Sequence, residues 1–253
     1  MATGLIDRLY GSFDRLRSKF VVACGSDEFF DSYNDLVYAR NQAYRMATKG
    51  LFPFEQRAIL RHFPTPPGTV LIGAAGSGRE ALVLARQGYQ VVAFEPIRPL
   101  AISLAEASDA LSIESLIGRY EDLPVVRSVS SPSVIVDLRT RAPFSAAILS
   151  SGSISHLRSD QQCIETLRRF GQLTHGPILI SWFPYSGGPT RRFRMNVGFF
   201  RPFTGGEIRA LAKDAGLDVL HLDDEHNWHA VLRSSTMRSA EVISMQEAHT
   251  DQS

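Results

Sequence analysis

Apolar residues in this chain fall in runs of three to five, and charged, amphipathic stretches separate the runs. Val70-Leu71-Ile72, Gln90 to Phe94, Ile113 to Ile117, Ala146 to Leu149 and Ile178 to Trp182 read as strands. Between them lie helical segments. One covers Arg79 to Gln87 and is closed by Gly88; a second runs from Pro99 to about Ala110. Ser159 with Gln162 has the form of a capping box for a helix to Phe170, and Thr204 with Glu207 opens another that Gly216 closes. Largely apolar strands alternating with helices predict a mostly parallel sheet, doubly wound, with helices on both faces. Leu217 to Leu222 and Trp228 to Leu232 are two further strands. The link between them is too short for a parallel crossover, so they form a terminal antiparallel hairpin. The expected fold is α/β with a seven-stranded sheet.

Ahead of this alternation, Phe29, Phe30, Tyr33, Leu36, Val37, Tyr44 and Met46 fall at mixed three- and four-residue spacings, which predicts a helix over 27–49 with an aromatic face. Gly50 ends it, and Pro53 opens the next helix, Phe54 to His62. The expected organisation is a helical N-terminal cap over 1–62, a Rossmann-like domain over 63–233 with an insert at 184–202, and a polar, Ser-rich tail over 234–253.

Composition narrows the function. The 253 residues carry 27 basic and 26 acidic side chains, and that balance supplies no field for a polyanion, so nucleic-acid binding is not expected. Cys24 and Cys163 are too few for a disulfide framework or a four-Cys zinc site and are read as reduced thiols. The charged first turns lack the apolar core of a signal peptide, and the longest stretch without Asp, Glu, Lys or Arg, Phe170 to Thr190, is broken by glycines and prolines. These features lead to the expectation of a cytoplasmic protein with no membrane partner.

The segment Gly73-Ala74-Ala75-Gly76-Ser77-Gly78 follows a strand and precedes a helix. Glycine there lets the backbone turn sharply and approach a ligand closely. Glu95 stands 17 residues after Gly78, at the carboxyl end of the second strand. In doubly wound sheets that position faces the crevice, where a carboxylate can accept both hydroxyls of an adenosine ribose.

With this pairing the chain resembles the class I S-adenosylmethionine-dependent methyltransferases. Thr69 to Pro96, TVLIGAAGSGREALVLARQGYQVVAFEP, carries the strongest likeness. Gly118 to Pro124 resembles the segment beside the adenine, Phe144 to Leu157 the fourth strand and its loop, and PFTGGEIRALAKDAGLDVL the helix and strand before the terminal hairpin. The likeness spans roughly Thr69 to Leu232. It implies S-adenosylmethionine as cofactor, with Gly73, Ala74, Ala75, Gly76, Gly78, Glu95, Pro96, Tyr120, Glu121, Ser150 and Ser151 around it. Ala74 stands where the family has its first glycine, and Arg119 where it often has an acid; Glu121 or Asp122 could substitute for that acid. Residues 125–143 are longer than the family spacing implies.

The alternatives are a nicotinamide-dependent oxidoreductase and a non-catalytic, methyltransferase-like binding module. A dehydrogenase usually has a third glycine inside the helix, where this chain has Ala81, and the terminal antiparallel hairpin is typical of the methyltransferase sheet. Methylation of a hydroxyl needs a base, and His156, in the loop after strand four, is the candidate. O-methylation is slightly favoured over N-methylation, and the absence of an Asn-Pro-Pro-Tyr or Asp-Pro-Pro-Tyr box disfavours nucleobase amines. Arg191, Arg192 and Arg194, interleaved with Phe193, Phe199 and Phe200, suggest a lid for an anionic or sugar-like small molecule. Tyr33, on the aromatic helix, is a further acceptor-side candidate; that helix could equally serve ordinary packing or a homodimer contact. His221, Asp223, Asp224, Glu225, His226 and His229 read as a charged hairpin turn, and no metal site is expected.

Overall fold

Uninterrupted apolar runs bury both faces of a strand, and here they form the middle of one sheet. The protein is described by a computed structural model over residues 18–41, 49–195 and 197–235. Residues 18–24 are helical, followed by α1 (Asp27–Asn41) and α2 (Pro53–His62). Then come β1 (Thr69–Gly73), α3 (Arg79–Arg86), β2 (Gln90–Glu95), α4 (Arg98–Ala107) and β3 (Ile113–Ile117). Two short strands follow, β4 (Val125–Ser128) and β5 (Ile135–Asp137). The chain continues through β6 (Ala146–Leu149), α5 (Asp160–Leu173), β7 (Ile178–Ser181), β8 (Arg192–Arg194), β9 (Gly198–Phe200), α6 (Gly205–Asp214), β10 (Leu217–Asp223) and β11 (His229–Ser234).

The sheet order is β10-β11-β7-β6-β1-β2-β3-β4-β5. β1 pairs in parallel with β2 on one side and β6 on the other, so the winding reverses at β1. β11 runs antiparallel to both β7 and β10, which is the terminal hairpin the sequence predicts. Helices cover both faces. α5 and α6 bury Leu167, Phe170, Ile208 and Leu211 on one; α2, α3 and α4 bury Ile59, Leu82, Leu84 and Leu104 on the other.

The sheet has nine strands where seven are predicted. The additional pair, β4 and β5, extends the β3 edge antiparallel and accounts for most of the segment the family spacing left unplaced. These strands are three and four residues long, and Val125 and Ile135 are exposed, so no apolar run announces them. Both predicted N-caps form, and one of the two is the capping box predicted for it. Thr204 and Glu207 close a reciprocal box, whereas Ser159 accepts from the Gln162 N–H and the Gln162 side chain reaches back to the Arg158 N–H instead.

The helix expected over 27–49 is seen as Asp27–Asn41; Tyr44 and Met46 lie outside the described residues, as do 1–17 and the tail from 236. β8 and β9, inside the insert, form a small hairpin that packs against α1. Phe30 meets Phe199 with ring centroids 4.9 Å apart, and Asn34 exchanges hydrogen bonds with the Phe199 backbone. A side chain at Gly198 would collide with Asn34, so glycine is required there for this close approach. Arg119 and Arg158 hold α1 by charge: Arg119 pairs with Asp35 at 2.5 Å, and Arg158 with Asp31 and Asp27.

Candidate active site

Where the winding of an open α/β sheet reverses, the loops leaving adjacent strands part and leave a crevice. Here the crevice lies at the carboxyl ends of β1, β2 and β6. It opens into a cavity of about 350 Å³, within the range of small-molecule sites. α1 contributes Asp31, Asn34, Asp35 and Tyr38 to its wall.

Glu95 ends β2 and is 4% exposed. One carboxylate oxygen accepts the Gly76 N–H at 2.8 Å and the other the Ile97 N–H at 3.0 Å. Burial nevertheless pushes its carboxyl up to about 7. Ala74, Ala75, Gly76, Pro96, Tyr120, Glu121, Ser150 and Ser151 also line the cavity, together with Ser77. Ala74 takes the left-handed φ of 53°, a conformation glycine adopts without strain, at a cost on the order of 1–2 kcal/mol. Gly73 and Gly78 do not line the cavity. A side chain on Gly73 would strike the rings of Tyr120, Phe170 and Phe94, and one on Gly78 would strike Leu104, so both positions serve close packing beneath the loop. Tyr120 is buried, its hydroxyl 2.7 Å from Ser153 Oγ. Asp122, considered as an adenine contact, instead accepts the Arg119 N–H and does not line the cavity.

A buried charge cluster closes the wall behind the loop. Arg79, Glu80 and Glu55 are 4%, 2% and 2% exposed. Arg79 binds Glu55 through two hydrogen bonds, at 2.5 and 2.7 Å, and Glu80 through one at 2.6 Å. It also donates to the Gly50 carbonyl, and its guanidinium lies 4.1 Å over the Phe52 ring. Glu55 in turn accepts the Phe52 N–H at the start of α2. Burial raises the Glu80 carboxyl above its ordinary range; Arg79 opposes the rise and Glu55 adds to it.

His156 lies in the 3₁₀ turn Ser153–His156 after β6, and its neighbours fix its tautomer. Nδ1 is 2.7 Å from the Phe199 carbonyl oxygen, which can only accept, so Nδ1 carries the hydrogen. Nε2 is 2.6 Å from the Tyr38 hydroxyl and is left to accept the phenolic O–H. Burial lowers the His156 pKa, which keeps the ring neutral, and raises that of Tyr38, which keeps the phenol protonated. Both side chains line the cavity.

Tyr33, Arg191, Arg192 and Arg194 are not brought to the cavity. The Tyr33 hydroxyl donates to the Met195 carbonyl, Arg192 donates to the Gly187 and Pro189 carbonyls, and Arg191 and Arg194 lie over the rings of Phe199 and Phe200. The insert reaches the site through its backbone instead, by way of the Phe199 carbonyl. Sequence reasoning missed Tyr38, Asp35, Arg79 and Glu80. The Arg-Glu pair directly after the glycine loop was visible, but nothing local marks these charges as buried. Asp223 accepts the backbone N–H groups of Glu225 and His226, consistent with a hairpin turn. Among the described residues, no group of three or more His, Cys, Asp or Glu could hold a metal ion. No described helix is long and apolar enough to cross a membrane.

No family model and no curated protein matches the chain. Solved structures do. The CcbJ methyltransferase from Streptomyces caelestis superposes with a TM-score of 0.59 at 16% identity, over 80% of this chain and 98% of that one. A SAM-dependent methyltransferase from Methanosarcina mazei gives 0.54 at 11% identity, over 73% and 98%. The 1,6-didemethyltoxoflavin-N1-methyltransferase of Burkholderia thailandensis, solved with 1,6-didemethyltoxoflavin and S-adenosylhomocysteine, gives 0.50 at 20% identity, over 81% and 83%. This chain has the class I S-adenosylmethionine-dependent methyltransferase fold.

The cavity suits that cofactor. A side chain built on Gly76 would meet no protein atom within 4 Å, so the space above the loop is open. The buried Ser77 hydroxyl has no hydrogen-bond partner in the protein. Glu95 keeps acceptor capacity for a ribose beyond its two backbone bonds.

Proposed function

We propose that this protein methylates a small molecule at a hydroxyl oxygen, with S-adenosylmethionine as donor. The observation that carries the reading is one cavity that holds both the Glu95–glycine-loop cradle and the Tyr38–His156 pair. Bound in that cradle, S-adenosylmethionine would supply an electrophilic methyl group on its sulfonium.

Glu95 would accept the ribose hydroxyls, and Ala74 to Ser77 would line the path of the amino-acid end. Tyr120 and Glu121 would border the adenine. α1, fastened by Arg119 and Arg158, would act as a lid that limits water. The acceptor hydroxyl would donate its hydrogen bond to the Tyr38 oxygen, whose own proton already points at His156 Nε2. As the methyl–sulfur bond gave way to the new C–O bond, leaving neutral S-adenosylhomocysteine, the acceptor proton would move to Tyr38 and the Tyr38 proton to His156. His156 becomes imidazolium while Phe199 holds Nδ1. A neutral, correctly oriented imidazole is the requirement for such a base.

The acceptor is taken to be neutral. Asp31, Asp35 and Glu121 line the cavity together with the raised carboxyls of Glu80 and Glu95, against Arg79 and Arg119, which already bind Glu55, Glu80 and Asp35, so no cation is left over for an anion. That acidity favours amine methylation as a second reading, since it would draw in a protonated amine.

Two measurements on one preparation test the proposal. Label from the S-adenosylmethionine methyl group should appear in a product from a panel of small alcohols and phenols. Glu95→Ala should stay folded and bind S-adenosylhomocysteine more weakly by roughly 1.5–3 kcal/mol, the worth of hydrogen bonds to a charged group. Label entering only amines would shift the assignment to N-methylation. Unchanged affinity in a folded Glu95→Ala protein would remove Glu95 from the ribose site.

A further inference from the structure

Arg79 offers four N–H hydrogens at its two terminal nitrogens, and all four are taken. Two go to Glu55, one to Glu80 and one to the Gly50 carbonyl. One positive charge is therefore shared between two carboxylates that are each only 2% exposed. When both acids are ionised the cluster holds a net negative charge, which a buried site does not tolerate without a further cation or a proton.

The surplus sits on the cavity side. Glu80 lines the cavity and Glu55 does not. The Ser150 hydroxyl is near enough to hydrogen-bond Glu80 and favour its ionised form, and the buried Ser77 hydroxyl, which lines the same cavity, has no partner in the protein. The sheet order sets the direction. Glu95 ends β2, Ser150 follows β6, and β1 lies between them. With its adenine beside Tyr120 and Glu121, after β3 on the far side of β2, a nucleoside held at Glu95 would send its 5′ substituent across the β1 loop toward Glu80.

We propose that Glu80 is the counter-charge for the α-ammonium of the donor's amino-acid end, and that donor binding expels a proton from the Arg79–Glu55–Glu80 cluster. This rests on the methyl-donor reading above. Without ligand the surplus charge is relieved by a proton on Glu80, whose carboxyl is raised by burial and by Glu55 and lowered by Arg79. The incoming ammonium replaces that proton, which leaves to solvent. Affinity for a ligand bearing the ammonium should then rise with pH through the raised Glu80 pKa. Glu95, also raised, faces the same cavity, so its contribution has to be separated.

Calorimetry of the full chain makes the separation, with S-adenosylmethionine, S-adenosylhomocysteine and methylthioadenosine in two buffers of different ionisation enthalpy. Methylthioadenosine keeps the ribose and lacks the amino-acid end, so it reports Glu95 alone. In the wild type, S-adenosylhomocysteine should release more protons than methylthioadenosine. Glu80→Gln should weaken S-adenosylhomocysteine and S-adenosylmethionine alike by at least about tenfold, leave methylthioadenosine within about twofold, and abolish the extra proton release. Should that variant not fold, Glu55→Gln decides. It leaves Arg79 and Glu80 as a neutral pair, so the extra proton release should fall while S-adenosylhomocysteine still binds. Equal weakening of all three ligands would make Glu80 a structural residue and overturn the proposal. A loss confined to S-adenosylmethionine would assign Glu80 to the sulfonium and overturn it too, as would proton release unaltered in both variants. If no adenosine ligand bound the wild type, the donor reading would fail first.

Discussion

Arg79→Met should cost about 3–5 kcal/mol of folding stability, the penalty for breaking a buried ion pair from one side. Arg79 is 4% exposed and is the one cation that both Glu55 and Glu80 bind. Methionine fills much of its volume and keeps the contact with Phe52, yet it leaves Glu55 and Glu80, each 2% exposed, without their cation, and protonation is the relief open to them. The sign follows from linkage: Glu80 already has a raised carboxyl, and without Arg79 it rises further, so the folded state holds protons that the unfolded state has lost. The deficit should therefore be largest near neutral pH and shrink as pH falls toward the ordinary carboxylate range. Urea unfolding at several pH values reads both the size and the slope. A loss that does not vary with pH would mean that packing, and not charge, supplies Arg79's contribution.

Removing the base should have the largest effect on the chemical step. With a hydroxyl acceptor in hand, His156→Ala should lower kcat about 10²–10⁴-fold, the usual worth of general-base help, while S-adenosylhomocysteine still binds. Tyr38→Phe should fall in the same range, because it removes the oxygen that meets the acceptor and leaves His156 Nε2 without its partner. His156→Asn separates geometry from basicity: it can hydrogen-bond but cannot take the proton. In the wild type the rate should rise with pH through the His156 pKa, which burial places below the ordinary histidine value, and stay level across neutrality. The rising limb should vanish in His156→Ala. Variants that keep near-wild-type kcat would point to an amine acceptor and make the Tyr38–His156 contact structural.

The legible part of this molecule was what local pattern encodes. Apolar runs such as Val70 to Ile72 and Ile178 to Trp182 read as buried strands, and the short link from Leu222 to Trp228 forced the antiparallel pair. The glycine loop and Glu95 were readable because a strand, a turn and a following acid lie within 27 residues of one another. Tyr38 was not readable. It stands 118 residues from His156, and only the insert hairpin packing on α1 brings them together. Arg191, Arg192 and Arg194 looked like anion ligands because composition shows charge without direction. In the fold they lie on aromatic rings and loop carbonyls, and the Phe199 carbonyl between them and His156 carries the insert's contribution to the site.

The central claim is that the β1–β2 cradle binds the donor, and a direct comparison of S-adenosylhomocysteine with NAD tests it. A ligand that binds only the native state stabilises it by about 2.7 kcal/mol at a hundred times its Kd. Thermal unfolding of the full chain should therefore shift clearly upward with S-adenosylhomocysteine and not with NAD, and calorimetry should give one site per chain. No shift with millimolar S-adenosylhomocysteine, alongside a clear shift with NAD, would contradict the account.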